Sequence, residues 1–397
     1  MSVCIPQGFA MAGVHCRIKR DPQKLDLSLI CSDEPCAAAG VYTRNLVFAA
    51  PVALDSARTP SDQIRVVLIN SGNANACTGE RGLRDAQQSA KLAAEACGAL
   101  PHQALVMSTG IIGEFLPMDK IEQGICAAAV KLGKSEACLL SAARGMLTTD
   151  TTHKLAGRAI EIEGHTYQIV GMAKGAAMMG PNMATMLALV LTDAPIEMDD
   201  AQELLSTAVD RTFNCISVEG HTSTNDTVLF LANGAAGGEQ LAGPALETFR
   251  AAFEEVCAEL ARAIPADGEG CTHLVTIDVS GCADREAARQ IARTVANSAL
   301  VKAAVSGADP NWGRIVSAAG YAGVPFDPMQ VALRLNGFLL YEAGAPVTFD
   351  AKAVSQSIRD NREVSVQLSF GEGDAAIRFW TTDITAEYVR LNADYHT

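Results

Sequence analysis

The sequence is poor in positive charge, in aromatic residues and in histidine. Its 397 residues include 31 lysines and arginines against 45 aspartates and glutamates, which gives a formal net charge of -14, and only 5% are aromatic. The basic residues are scattered, so the sequence predicts no surface that would neutralise the phosphates of a nucleic acid or an anionic membrane. We therefore expect neither nucleic acid nor membrane among the partners of this chain.

Metal-binding and membrane-spanning patterns are also missing. Cys31 and Cys36 are too far apart for a Cys-x-x-Cys zinc pair, and no cluster of histidines follows them. No apolar run reaches the roughly 20 residues that span a bilayer. No secretory signal precedes the cysteines, several of which lie in apolar stretches (Cys126, Cys257, Cys271). The sequence thus predicts no metal site, reduced thiols and a soluble cytoplasmic protein.

Three common catalytic motifs are absent. The chain has no GxxxxGK(S/T) phosphate loop, no GxSxG nucleophile turn and no HExxH pair, and none of its seven histidines is paired in sequence with a serine or cysteine nucleophile. A nucleophile in this chain would need a different base. For a threonine, that base can be its own α-amine once the preceding peptide bond is cut.

Hydrophobic residues make up 49% of the sequence, which is enough to build one large or two medium-sized cores. Short apolar or alternating runs predict strands, and residues 159–171 predict a hairpin that turns at Glu163-Gly164. The strands are predicted at residues 65–70, 104–107, 186–191, 227–232, 274–279, 330–335 and 363–368. Helical spacing predicts helices at residues 85–97, 117–132, 244–264 and 285–297.

The order of these elements is mixed rather than strictly alternating. A mixed α+β architecture with layered sheets and helices therefore fits better than a doubly wound parallel sheet. Composition suggests a domain boundary either near Thr185 or near residue 240 and does not favour one position over the other.

The stretch GPNMATMLALVLTDA, residues 180–194, places one hydroxyl, Thr185, at the mouth of an apolar strand. Such a threonine is usually structural, because β-branched residues suit strands and the hydroxyl can satisfy a nearby backbone group. Its surroundings favour chemistry, since a loop rich in glycine and alanine precedes it and holds a single cation, Lys174. That lysine either extends to water or faces an anionic ligand or a nucleophile.

Upstream, STGIIGE (108–114) follows a predicted strand. Thr109 and Gly110 at the end of that strand can present a hydroxyl and backbone N–H groups to an oxyanion, although an ordinary turn would look the same. Four further segments are turns rich in small polar residues. Such turns in an otherwise apolar chain are typical of loops that come together at a functional site. They are NSGNANACTG (70–79), TSTNDT (222–227), DGEGCTH (267–273) and SGADPNWGR (306–314).

These motifs, together with KGAAMMGPNMATML and the terminal EYVRLNADYHT, strongly resemble the ornithine acetyltransferase family, also called bifunctional glutamate N-acetyltransferase. The resemblance runs from GFAMAGVHCRIK near the N-terminus to the last residue. It implies an α/β/β/α sandwich with a smaller second domain, and self-cleavage between Ala184 and Thr185. The products would be an α chain, residues 1–184, and a β chain, residues 185–397, that form one catalytic unit and assemble as an α2β2 heterotetramer.

The resemblance also implies the reaction. Thr185 would take the acetyl group from N2-acetyl-L-ornithine and pass it to L-glutamate, with Thr109 and Gly110 as the oxyanion hole. No cofactor is implied, although some members also use acetyl-CoA as a donor. The positions that match the family's substrate contacts are Thr148, Lys174, Thr185, Glu269, Asn392 and Thr397.

Two positions depart from the family pattern. His273 stands where lysine is common, which could alter the charge near Glu269, and Gly180 stands where alanine is common, which could alter the turn before the cleavage point. Two other functions remain open. One is a threonine-nucleophile amidohydrolase or aminopeptidase on a related scaffold, in which water replaces glutamate. The other is an uncleaved binding or regulatory relative.

Overall fold

The computed structural model describes residues 4–177 and 186–394, which form two sheets covered by helices. The strands are β1 (Phe9–Val14), β2 (Leu27–Tyr42), β3 (Ser61–Asn73), β4 (Ala104–Ile111), β5 (Lys154–Ile162), β6 (His165–Lys174), β7 (Leu187–Thr192), β8 (Thr227–Ala232), β9 (Leu274–Cys282), β10 (Ala332–Leu335), β11 (Phe338–Glu342), β12 (Ala345–Pro346), β13 (Glu363–Ser369) and β14 (Ala375–Thr382). The helices are α1 (Ala50–Ser56), α2 (Gly79–Ala96), α3 (Met118–Lys131), α4 (Glu136–Gly145), α5 (Met198–Arg211), α6 (Gly243–Ala266), α7 (Arg285–Asn297), α8 (Ala299–Ser306), α9 (Trp312–Gly320), α10 (Ala351–Arg359) and α11 (Ala386–Asp394).

The first sheet has the order β4-β3-β2-β8-β7-β6-β5, with β1 paired to β2. One edge of the long strand β2 pairs with β1 along residues 27–32 and with β8 along residues 37–42. The strand therefore belongs to both halves of the sheet. Buried side chains of β3 and β4, such as Ile69 and Met107, share one core cluster with Met172, Leu189 and Leu229 of β6 to β8. The two halves thus stack face to face.

Helices cover both outer faces of this stack. Alanines of α2 and isoleucines of α3 pack on β1 to β4, and the apolar faces of α5 and α6 pack on β5 to β8. In α6, Phe253 lies with its ring 4.5 Å from that of Phe230 in β8. Every residue of β7 and β8 is buried, which explains why both strands are continuous apolar runs rather than alternating ones. The predicted α+β, α/β/β/α sandwich is confirmed.

The second sheet has the order β12-β11-β10-β13-β9-β14 and forms its own core with α7 to α10. The chain passes from the first sheet to the second between Ala266 and Leu274, because α6 still packs on the first sheet. A boundary near residue 240 would separate α6 from that sheet. The division into chains 1–184 and 185–397 stays a prediction.

The predicted hairpin at residues 159–171 is confirmed. The hairpin of β5 and β6 turns at Glu163 (φ 52°) and Gly164 (φ 82°), which are the two positive values that a type I′ turn requires. All twelve cysteines are free thiols. Neither described stretch of the chain contains a helix long and apolar enough to cross a bilayer.

Candidate active site

The site lies where β4 and β6 end. Thr109 is near the end of β4 and Lys174 is the last residue of β6, and both side chains are buried. Lys174 Nζ donates a hydrogen bond to Thr109 Oγ1 over 3.2 Å, although 65 residues separate the two in sequence. Because the lysine donates to this oxygen, the hydroxyl proton of Thr109 is directed elsewhere and can be donated to another acceptor.

Gly110 follows in a conformation that only glycine adopts without strain. Its φ is 136°, and a Cβ there would lie 2.3 Å from the carbonyl carbon of Gly72 in β3. Since real Cβ atoms do not approach backbone so closely, a side chain would force β3 and β4 apart at the predicted oxyanion hole.

We expect Gly110→Ala to lower the acetyl-transfer rate by about 10²-fold or more, the size of effect seen when an oxyanion donor is displaced. Gly113→Ala is the matched control, because Gly113 also has a positive φ of 88° but a Cβ there meets nothing within 4 Å. Steady-state kinetics of both variants measure the difference. Equal rates in the two would show that the close approach to Gly72 is unimportant.

Asp150 is the buried counter-charge beside Lys174. Burial raises the pKa of the Asp150 carboxyl, but the Lys174 and Lys154 cations outweigh it and bring that pKa down to about 2. Asp150 Oδ1 accepts from Lys154 Nζ (2.7 Å) and from the Gly175 N–H (2.6 Å), and Oδ2 accepts from the Thr148 N–H (3.1 Å). Thr148 is thereby joined to the end of β6.

Burial also acts on Lys174 itself. It lowers the pKa of the Lys174 ammonium, while the negative charges of Asp150, Asp226 and Glu269 oppose that change. A buried ammonium group can pair with a substrate carboxylate. Sequence reasoning found Lys174 but missed Asp150, whose only sequence signal is its place two residues after Thr148.

Lys154 links this group to the DGEG turn. Its Nζ donates to Asp150 and also to Asp267 Oδ2, each over 2.7 Å, and both carboxylates are almost completely buried. Asp267 further accepts from the Thr151 N–H (3.1 Å) and from the Thr151 hydroxyl. The loop that carries Thr148 is therefore fixed to the end of α6 by a buried ion-pair network.

Glu269 contacts Asn392 and is tied to the segment that follows Lys174. The Glu269 N–H donates to Ala176 O (2.9 Å), and Glu269 Oε2 accepts from Asn392 Nδ2 of α11 (3.1 Å). Within the two described stretches, no cation lies within 4 Å of the Glu269 carboxylate. This carboxylate is thus available to pair with a ligand ammonium.

Ala184, Thr185 and Thr397 lie outside the described residues, as does Gly180. The residue after Thr185 is described: the Met186 N–H donates to Asp226 Oδ1 over 2.8 Å. Asp226 is fully buried, and burial raises its pKa well above the usual range, against the opposing effects of the Met186 N–H and Lys174. Asp226 thus holds the backbone of the residue that follows the proposed nucleophile in the sequence.

Sequence reasoning recognised TSTNDT only as a polar turn and did not single out Asp226. The structure also shows how this turn reaches β4. Asn225 Nδ2 donates to Ser108 O (2.8 Å) and to Ala74 O (2.6 Å), so two of the predicted polar turns, 70–79 and 222–227, meet at the end of β4. SGADPNWGR instead joins α8 to α9 in the second domain, where Asn311 caps α9. That motif was predicted among the site loops, and the described structure gives it a local structural role.

The described hydrogen bonds of the His273 ring are to groups other than Glu269. Its ring is buried, with Nδ1 3.1 Å from Asp383 Oδ2 and Nε2 3.2 Å from Ile358 O. The substitution of histidine for lysine at this position therefore contributes to the packing of the second domain.

The chain is similar to known proteins over nearly its whole length. The ArgJ family model matches residues 10–397. The arginine biosynthesis bifunctional protein ArgJ of Rhodopirellula baltica is 46% identical over 99% of this chain and 96% of its own length. The protein of the same name from Symbiobacterium thermophilum is 47% identical over 100% of this chain and 98% of its own. A crystal structure of Bacillus halodurans argJ is 35% identical, with a TM-score of 0.50 over 51% of this chain and 96% of that one. The chain belongs to the ArgJ family.

Proposed function

We propose that the chain is a self-cleaving acetyltransferase of arginine biosynthesis that moves the acetyl group of N2-acetyl-L-ornithine to L-glutamate. The observation that carries the proposal is the contact of Lys174 with Thr109 at the end of the strand that leads toward Thr185. Family membership supplies the reaction, and the site geometry supplies groups suited to it.

Cleavage comes first. The Thr185 hydroxyl attacks the carbonyl carbon of Ala184, the C–N bond breaks, and the nitrogen takes a proton, which leaves an ester between the two residues. Water then opens the ester and releases Ala184 as a carboxylate. The product is an N-terminal Thr185 whose amine, with an unperturbed pKa of roughly 8, is partly neutral at physiological pH and can accept the hydroxyl proton.

Acetyl transfer then follows in two steps. Thr185 Oγ attacks the acetyl carbonyl of acetylornithine, ornithine leaves with the proton, and the enzyme carries an acetyl ester. The amine of glutamate attacks that ester and regenerates the hydroxyl. In both steps the Thr109 hydroxyl and the N–H of Gly110 donate to the oxyanion.

The substrate is held through its charged groups. Lys174 pairs with a carboxylate and Glu269 pairs with an ammonium. The resemblance adds Thr148, Asn392 and Thr397 to the substrate contacts. Thr148 is preferred to Thr149 because its N–H is bonded to Asp150, the neighbour of Lys174. We further propose a cytoplasmic α2β2 heterotetramer with no bound cofactor and with acetyl-CoA as a possible second donor.

The test is to incubate the purified protein with acetyl-labelled acetylornithine, with and without glutamate. We expect labelled N-acetylglutamate and ornithine in equal amounts, with parallel double-reciprocal plots for the two substrates, as a ping-pong reaction requires. Release of labelled acetate at a rate independent of glutamate would contradict the proposal. That result would favour the amidohydrolase.

A further inference from the structure

Helix α11, which carries Asn392, has little apolar anchorage on the rest of the protein. Within the part of the chain that the structure describes, none of its nine residues is buried, and Val389 is 59% exposed. An isolated helix shorter than about 12–15 residues is marginal in water. The place of α11 beside Glu269 therefore depends on a few specific polar contacts.

Thr385, the residue before α11, makes two of these contacts through one hydroxyl. Its Oγ1 donates to Gly270 O over 2.6 Å and accepts from the Tyr388 N–H over 3.3 Å. The first bond reaches the DGEG turn (267–270), 115 residues away in sequence. The second satisfies an N–H in the first turn of α11, as a helix cap does. One side chain thus joins the turn that carries Glu269 to the helix that carries Asn392.

Gly270 allows the turn and the helix to touch. Its φ is 63°, and an added Cβ would lie 2.6 Å from Tyr388 N and 2.9 Å from the carbonyl carbon of Glu387. Real Cβ atoms do not approach backbone so closely, so a side chain at Gly270 would push α11 away. The backbones of the DGEG turn and of the first turn of α11 are therefore in direct contact.

Asp383 fixes the residues that follow the turn. Its buried carboxylate accepts from the N–H groups of Thr272 (2.9 Å) and His273 (3.0 Å). Asp383 and Thr385 both lie in the short segment between β14 and α11. This segment therefore holds the chain after Glu269 at Gly270 and again at residues 272 and 273.

Helix α11 brings two polar side chains to Glu269. Asn392 Nδ2 donates to Glu269 Oε2 (3.1 Å) and to Tyr388 O (3.0 Å). Burial raises the pKa of the Tyr388 phenol to about 12, and the negative charges of Glu219 and Glu269 contribute to the shift. The amide fixes one carboxylate oxygen of Glu269 and leaves further lone pairs for an ammonium. The orientation of Glu269 is thus tied to the position of the helix.

We propose that Thr385 is a positioning residue for the acetyl donor, because it docks α11 on the DGEG turn and so orients Glu269 toward the side-chain ammonium of N2-acetylornithine. The inference rests on the proposed acetyltransferase function. The α-nitrogen of this donor is acetylated, so its cation is at the end of the side chain. Glutamate has a carboxylate at that end, and its α-amine must be neutral to attack the acetyl ester. The donor half of the reaction therefore depends on a well-placed Glu269, and the acceptor half does not.

The experiment compares Thr385→Val with Thr385→Ser in the full-length protein. Valine keeps the branched shape and removes the hydroxyl, whereas serine keeps the hydroxyl. Thr248→Val is the control, because the Thr248 hydroxyl donates within α6, to Pro244 O (2.9 Å). In a ping-pong reaction, kcat/KM for each substrate reports its own half-reaction. Initial rates therefore measure acetylornithine and glutamate separately, and calorimetric titration with L-ornithine measures binding without turnover.

We expect Thr385→Val to lower kcat/KM for acetylornithine about three- to tenfold, through a higher KM, and to raise the Kd for ornithine by a similar factor, because one hydrogen bond is lost. Its kcat, and its kcat/KM for glutamate, should stay within about twofold of wild type, since no transition-state contact is removed. Thr385→Ser should restore most of the loss, and Thr248→Val should match wild type in every measurement.

Equal losses with acetylornithine and glutamate would overturn the proposal, because a general loosening of the fold affects both half-reactions. An unchanged Kd for ornithine in Thr385→Val, or a serine variant as impaired as the valine variant, would also overturn it. If wild type binds ornithine but lacks the acetylornithine reaction, the proposed function fails instead. The ornithine titrations of the valine, serine and control variants still decide the role of Thr385 in that case.

Discussion

Thr185→Ala is expected to give a single chain of 41.6 kDa with no acetyl transfer. Wild type should give two fragments that divide before Thr185, because the threonine hydroxyl is the group that attacks the Ala184 carbonyl. The variant also lacks the hydroxyl that would carry the acetyl group, so activity should fall by at least about 10³-fold, as in other enzymes that lose their nucleophile. Intact mass under denaturing conditions and the labelled-acetyl assay measure the two effects.

Thr185→Ser is the matched control, because serine retains a hydroxyl that can attack and later carry the acetyl group. It should still cleave, although more slowly, and should retain part of the activity. Two fragments from Thr185→Ala would contradict self-cleavage by this residue. If the wild-type chain stays intact, Thr185 has no free α-amine to act as the base. That result would favour an uncleaved binding or regulatory protein.

Lys154→Met is expected to cause the largest loss of stability. Lys154 Nζ is the shared partner of Asp150 and Asp267, and the three side chains are at most 6% exposed. Replacing one partner of a buried ion pair lowers the free energy of unfolding by about 3–5 kcal/mol, because the remaining charge stays buried without a partner. The loop that carries Thr148 and Thr151 should also loosen, and the rate of acetyl transfer should fall.

Urea unfolding measures the change in the free energy of unfolding. Lys91→Met is the control, because Lys91 is an exposed lysine on α2 whose replacement should change stability by no more than about 0.5 kcal/mol. Equal stability of the two variants would mean that the buried ion pairs of Lys154 stabilise the fold no more than the exposed Lys91 does.

The same network predicts a dependence of stability on pH. The pKa of Asp150 is about 2 in the folded protein, below the unperturbed value of roughly 3.9. A depressed pKa contributes stability that is present above pH 4 and is lost as pH falls toward 2. Lys154→Met removes one of the two cations that lower this pKa, so the variant should lose less stability over that interval. Melting temperatures from pH 5 to pH 2 test this.

Part of the local structure was available from the sequence, more of it for the strands than for the helices. Strand β8 and helix α7 have the predicted bounds, and the turn at Glu163-Gly164 follows from two adjacent residues. Helix α5 was missed although Ala201, Leu204, Leu205, Ala208 and Val209 bury one face at helical spacing. Strand β2 was missed for a physical reason. Its interior reads SDEP and has no two-residue alternation, and it is extended because strands pair with it on both edges.

For the candidate site too, some features follow from the sequence and others only from the tertiary structure. The sequence by itself determined the family and the reaction class, because these are carried by short motifs, and it predicts Thr185 as the nucleophile. Only the tertiary structure decided that Lys174 donates to Thr109, that Asp226 holds the N–H of Met186, and that Lys154 joins Asp150 to Asp267. Periodicity reflects which side chains of one helix or strand lie on the same face. Contacts across a folded sheet join residues distant in sequence, and their partners depend on how every layer packs.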